Sequence, residues 1–152
     1  MKLAEALSLR KDLLARVEQL RNRISNNVKV QEGDSPLENP DTLTKELHAT
    51  LDQLETLIAR INATNITTRD ADGQTMTQLL AARDVLSMRI NALRAIYNNA
   101  SENRNRYSNS EIKFVTVIDV NALAKQIDAL AKQYRELDMR IQALNFATEL
   151  AD

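Results

Sequence analysis

The residues best placed for chemistry in this chain are His48, Asp52 and Glu55. They recur at i, i+4 and i+7, which sets an imidazole and two carboxylates on one face of a helix. Such a row could ligate a divalent metal, or move protons near neutral pH. The competing reading, which we favour, is a solvated helix face carrying an ordinary surface histidine. His48 is the only histidine. One histidine excludes the paired Glu-x-x-His motifs of a ferritin-like di-iron centre. A serine hydrolase would have a single base and no Gly-x-Ser-x-Gly elbow. Gly33 and Gly73 are the only glycines and stand far apart, so no glycine-rich phosphate loop exists. With no cysteine there is no thiol nucleophile, disulfide or cysteine-ligated metal. No catalytic residue is nominated and no cofactor is expected.

Arg10 and Arg83 carry a different signal. Each falls where an apolar stripe calls for a hydrophobe, Arg10 between Leu7 and Leu14 and Arg83 between Leu80 and Leu86. An arginine there must find a carboxylate, such as Asp84, Asp128 or Asp138, or face another chain. The first alternative is an ion pair or interface that sets register; the second is an anion site between helices. Polar residues on helix seams more often specify register and partner, and that reading is preferred.

The elements that must position these residues are helices. From Val120 to Leu144 apolar residues recur at alternating spacings of three and four: Val120, Leu123, Ile127, Leu130, Tyr134, Leu137, Ile141 and Leu144. That is a coiled-coil-like heptad seam, which buries nothing until it meets another helix. Similar stripes run through Leu3, Leu7, Leu14, Val17, Leu20 and Ile24, widened by Leu9 and Leu13, and through Leu43, Leu47, Leu51, Leu54, Ile58 and Ile61. The spacing predicts helices over 2–26, 41–64, 75–98 and 119–149. Asn39-Pro40-Asp41 reads as a cap, a first-turn proline and an acidic residue at the positive helix end. Thr75 with Gln78 reads as a capping box, and Asp119 as the cap of the fourth helix. Val28–Gln31 alternates, and 112–117 is rich in branched residues, so the two segments are expected to pair as a small two-stranded β ribbon. The expected fold is mainly α: a bundle of four long helices with that ribbon, in one domain spanning residues 1–152.

Hydrophobic content of 43% with two prolines fits a folded chain, and 3% aromatics means an aliphatic core. Net charge is −1, but residues 1–31 hold seven basic and three acidic residues, while 32–60 hold seven acidic and two basic. Opposite charge on successive helices favours their pairing within or between chains. The basic first helix is interrupted by Glu5, Asp12 and Glu18 and carries no aromatic, so a nucleic-acid partner is not expected. No apolar run approaches the ~20 residues of a membrane span, and charges from Glu5 onward break up any signal peptide. A cytoplasmic protein is expected, without a membrane partner. Unpaired ribbon edges, the long fourth seam and the two stripe arginines predict self-association, with a dimer as the simplest symmetric form.

Several segments together resemble a known family. They are Met1-Lys-Leu-Ala-Glu-Ala-Leu-Ser-Leu-Arg-Lys-Asp-Leu13, Val30-Gln-Glu-Gly-Asp-Ser-Pro36, Leu57-Ile-Ala-Arg-Ile-Asn-Ala-Thr-Asn65, Ala82-Arg-Asp-Val-Leu86 and Arg106-Tyr-Ser-Asn-Ser-Glu-Ile-Lys-Phe-Val115. The chain resembles the septicolysin-like proteins, small bacterial proteins, and the match runs over nearly its whole length. The resemblance implies a bacterial cytosolic protein and supplies no catalytic residues. Its label implies a cytolysin, whose membrane tongue would be Ile112–Ile118. Three functions follow as expectations: a non-enzymatic structural or interaction module, preferred; a membrane-active cytolysin; and a metal protein or enzyme using His48, Asp52 and Glu55.

Overall fold

The structure, a computed structural model, describes residues 1–102 and 114–151. It is mainly α, with four long helices: α1 (Leu3–Asn27), α2 (Pro40–Thr67), α3 (Met76–Ser101) and α4 (Val120–Ala147). Each begins within one residue of its predicted start and ends within three of its predicted end. Two compact units emerge, Met1–Met76 with Gln142–Asp152, and Thr77–Ile141, and each is described by itself.

In the first unit α1 and α2 form an antiparallel hairpin. Arg16 pairs with Glu46 and Arg23 with Glu38, so the register runs evenly from the tip. Leu3, Ala6 and Leu20 of α1 meet Leu43, Leu54, Leu57 and Ile61 of α2 in the buried seam. One sequence expectation shifts here: Leu14 is largely exposed, and the half-buried residue of that turn is Leu13. A three-four spacing fits either leucine; contact with α2 selects Leu13.

The start of α2 is fixed as the sequence predicts. Asn39 Oδ1 accepts the Asp41 and Thr42 backbone N–H groups at 2.9 and 3.2 Å, and Pro40 fills the first helical position. The polar connection after α2 is a tight turn in which Asp70 Oδ1 accepts the Asp72 and Gln74 N–H groups. Gly73 has φ +81 there, a left-handed conformation that glycine adopts without strain. Asp119 Oδ1 accepts the Ala122 N–H at 2.9 Å and caps α4.

Among the described residues the predicted β ribbon is absent. Val28 is the αR cap of α1, and residues 29–31 lead into a turn at Glu32-Gly33. The tip is held instead by Asn27, whose Oδ1 accepts the Glu38 N–H at 3.0 Å. Residues 114–117 carry no strand pairing; Thr116 Oγ1 donates to the Ala100 carbonyl at 3.0 Å, while Ile112 and Lys113 lie outside the described residues. Branched residues raise strand propensity, but a partner strand must be within reach, and side-chain bonds to helix ends have taken that place. Among the described residues, β pairing is limited to the isolated bridges Lys2↔Glu149 and Arg69↔Thr75.

The first of these bridges belongs to an extended C-terminal segment that closes the first unit. Leu3 N–H donates to the Thr148 carbonyl at 2.9 Å, and Leu150 N–H to the Met1 carbonyl at 2.8 Å. Leu150 is buried, and Ala151 N–H donates to Thr64 Oγ1 at 2.9 Å. This docking contributes to stability through the Leu150 side chain. Leu150→Ala is expected to lower the unfolding free energy by about 2–5 kcal/mol in a urea titration, the usual cost of a buried leucine. An unchanged midpoint would show that the segment does not dock.

Candidate functional site

His48, Asp52 and Glu55 all project from α2 into solvent. Helical spacing puts them on one face, yet nothing closes over that face. Among the described residues no group of three or more His, Asp or Glu side chains gathers closely enough to hold a metal ion. Asp52 instead edges a shallow hollow of about 400 Å³ between α1 and α2, beside Leu9, Leu13, Thr56 and Arg60. The row, as it stands, is a solvated helix face.

Arg83 is engaged by carboxylates. Its guanidinium lies 3.2 Å from Asp138 and 3.6 Å from Asp84, two of the three carboxylates that the sequence offered. Asp128, the third, is exposed on α4. Arg83 sits near the start of α3 and Asp138 near the end of α4, so the pair ties two antiparallel helices. The Arg83 side chain is 26% exposed, which lets the aliphatic stem cover the seam while the head stays paired at its edge. Both carboxylates engage the same guanidinium, which leaves little there for an exogenous anion. Arg10 is half-buried on α1 and has no ion-pair partner among the described residues.

Further ion pairs were missed by sequence reasoning; the opposed charge of segments 1–31 and 32–60 hinted at Arg16–Glu46 and Arg23–Glu38 but not at Glu149. Arg23 Nε donates to Glu38 Oε2 at 3.0 Å, and its Nη2 also engages the same carboxylate. That hydrogen bond holds the Glu38 carboxyl below the usual carboxylate range and raises the Arg23 guanidinium. Glu149 is likewise held low, first by its hydrogen bond from Lys2 and then by the Met1 ammonium.

Apolar side chains in the open are the more distinctive surface feature. Beside the end of α3, Ile96 and Ala100 with residues 114–118 line an open hollow of about 570 Å³. Phe114 and Val117 there are 82% and 90% exposed. At the hairpin tip Val28, Val30 and Leu37 are exposed as well. No described helix is long and apolar enough to cross a membrane.

These features define a class: a protein of antiparallel helical hairpins whose surface offers apolar rows and structural ion pairs, with no catalytic constellation among the described residues. A family model matches residues 10–150, and the chain belongs to that family, a family of unknown function designated DUF6847. The chain is also similar to a functionally unknown conserved protein from Corynebacterium diphtheriae, known from its crystal structure. The two are 38% identical, 99% of each chain is covered, and the TM-score is 0.93. No curated protein matches the chain.

Two outcomes test the ion pairs. A carboxyl held low in the fold contributes stability above its unfolded pKa, about 4.3 for Glu, and loses it as pH falls through the lower folded value. Glu38→Gln is therefore expected to flatten the acid limb of the stability–pH curve below about pH 4.3, with little change near neutrality in its shape. An unaltered acid limb would show that the Arg23 bond does not persist in solution. Asp138→Ala is expected to cost no more than ~1 kcal/mol, because the pair is solvent-screened. Thermal unfolding measures it, and a loss of several kcal/mol would place Arg83 in a far drier setting.

Proposed function

We propose that this protein is a non-enzymatic interaction module of the bacterial cytosol, acting through the apolar faces of its helical hairpins. One observation carries the reading. Apolar side chains stand exposed along helix faces and at the end of α3, whereas the titratable groups are either solvated singly or engaged in structural pairs. Surfaces of this kind bind other apolar surfaces; they do not place an acid, a base and a substrate together. The resemblance to septicolysin-like proteins and the similarity to a bacterial protein of known structure support the bacterial setting.

Metal analysis of the purified full chain, before and after His48→Ala, separates this reading from the metal-protein alternative. The expected result is bound zinc or manganese far below one equivalent, with no difference between the two proteins. Stoichiometric metal that disappears with His48→Ala would replace the interaction reading. The cytolysin alternative takes its support from exposed Phe114, Val115 and Val117. Dye-loaded anionic liposomes are expected to stay sealed, and leakage abolished by Phe114→Asp would establish membrane activity instead.

A further inference from the structure

The α1–α2 hairpin has two flanks that differ in chemistry. Residues one position before a seam residue, such as Gln53, Thr56 and Arg60, are polar and lie with the Arg16–Glu46 pair. Residues one position after a seam residue make the opposite flank. Toward the middle of the hairpin these are Leu7 and Leu14 on α1, after Ala6 and Leu13, and Leu51, Glu55 and Ile58 on α2, after Thr50, Leu54 and Leu57; Ala4, Arg21, Thr44 and Asn62 continue the flank toward its ends. Each step of one residue turns a helix by about 100°, and in antiparallel partners the same turn points to the same side of the hairpin. Leu14, Leu51 and Ile58 are 48%, 40% and 37% exposed on that side.

We propose that this flank seats the same flank of a second copy of the chain, with α1 of each copy lying on α2 of the other. The proposal rests on the interaction-module reading and names its first partner. Charge selects the arrangement. Arg10 and Lys11 border the flank on α1 and Glu55 on α2, and none of the three has an ion-pair partner among the described residues. The cross-helix pairs Arg16–Glu46 and Arg23–Glu38 set Lys11 level with Leu51, one helical turn from Glu55. A two-fold axis parallel to the helices brings Lys11 of each copy beside Glu55 of the other, twice over, with Arg10 nearer the seam. An axis across the helices would stack α1 on α1 and oppose like charges, which is unfavourable. The size is adequate too. Two helices of about 25 residues present a flank roughly 37 Å long and roughly 20 Å wide, on the order of 750 Å² per copy, against about 800 Å² per partner in a standard interface.

Sedimentation equilibrium of the full chain at micromolar concentration tests this directly. The expected mass is twice 17.2 kDa. Leu51→Asp is expected to give a monomer with an unchanged helical circular dichroism spectrum. Lys11→Glu and Glu55→Lys, both at exposed positions that the fold does not need, are each expected to raise the dissociation constant at least roughly tenfold. Combining them is expected to restore pairing, because the charges are then exchanged and complementary again. A wild-type monomer at all concentrations would sink the proposal, and so would a dimer indifferent to Leu51→Asp. Failure of the combined swap to recover would overturn the α1-on-α2 arrangement. A monomer that also binds no metal and leaves liposomes sealed would remove self-pairing while leaving the interaction reading in place.

Discussion

A helix stripe wider than one seam leaves apolar surface that a single neighbouring helix cannot cover, and this constraint shapes everything else in the chain. In the α1–α2 hairpin the residues at the seam are buried, while those one step to one side remain open. The hairpin is therefore held together along a narrow line. Charge takes a larger share of setting its register than it would in a broad core. Arg16–Glu46 and Arg23–Glu38 mark that register on α1 and α2, and Arg83–Asp138 does the same between α3 and α4. Each pair lies at a seam's edge, where an arginine stem can cover apolar surface without its head losing water. Pairs in that position specify alignment more than they add stability.

The same constraint explains the C-terminal segment. A two-helix seam leaves the ends of both helices open, because each end carries backbone groups without intrahelical partners. Residues 148–151 run along the start of α1 and the end of α2 and supply partners there. Thr64 is buried and satisfied twice: its hydroxyl donates to the Arg60 carbonyl at 2.8 Å and accepts from Ala151. A buried hydroxyl without both bonds would be costly, which ties this threonine to the segment that covers it.

The helices were legible because three-four periodicity is a direct consequence of helical geometry, and the caps because Asn39 and Asp119 satisfy orphan N–H groups through local bonds. Arg83 was legible for a similar reason: an arginine on an apolar stripe must be paired, and Asp84 and Asp138 were within reach. The ribbon was not, because strand pairing depends on which segments meet, and Val28 instead caps α1 while residues 29–31 lead into a turn. Leu13 and Leu14 show the same limit at one-residue scale, since only the neighbouring helix decides which leucine turns inward. The Thr148–Ala151 docking left just a faint signal, opposite charge at Lys2 and Glu149 and an apolar Leu150 beyond the last helical turn.

For the site, sequence and structure part company in an instructive way. His48, Asp52 and Glu55 satisfy the spacing that a metal or acid–base row requires, and spacing alone is what a sequence can offer. Chemistry needs more: a surface that excludes water, a third or fourth ligand from another element, and a shifted proton affinity. Open on α2, the row lies in solvent and gathers no third or fourth ligand among the described residues. What the same face does have is neighbours of the right kind for recognition. Leu51 and Ile58 lie on the side toward which Glu55 projects, so this exposed carboxylate forms a charged rim beside an apolar row. Lys11 falls on the matching edge of α1, and in the pairing proposed above these two charges border the open leucines and select the surface they meet.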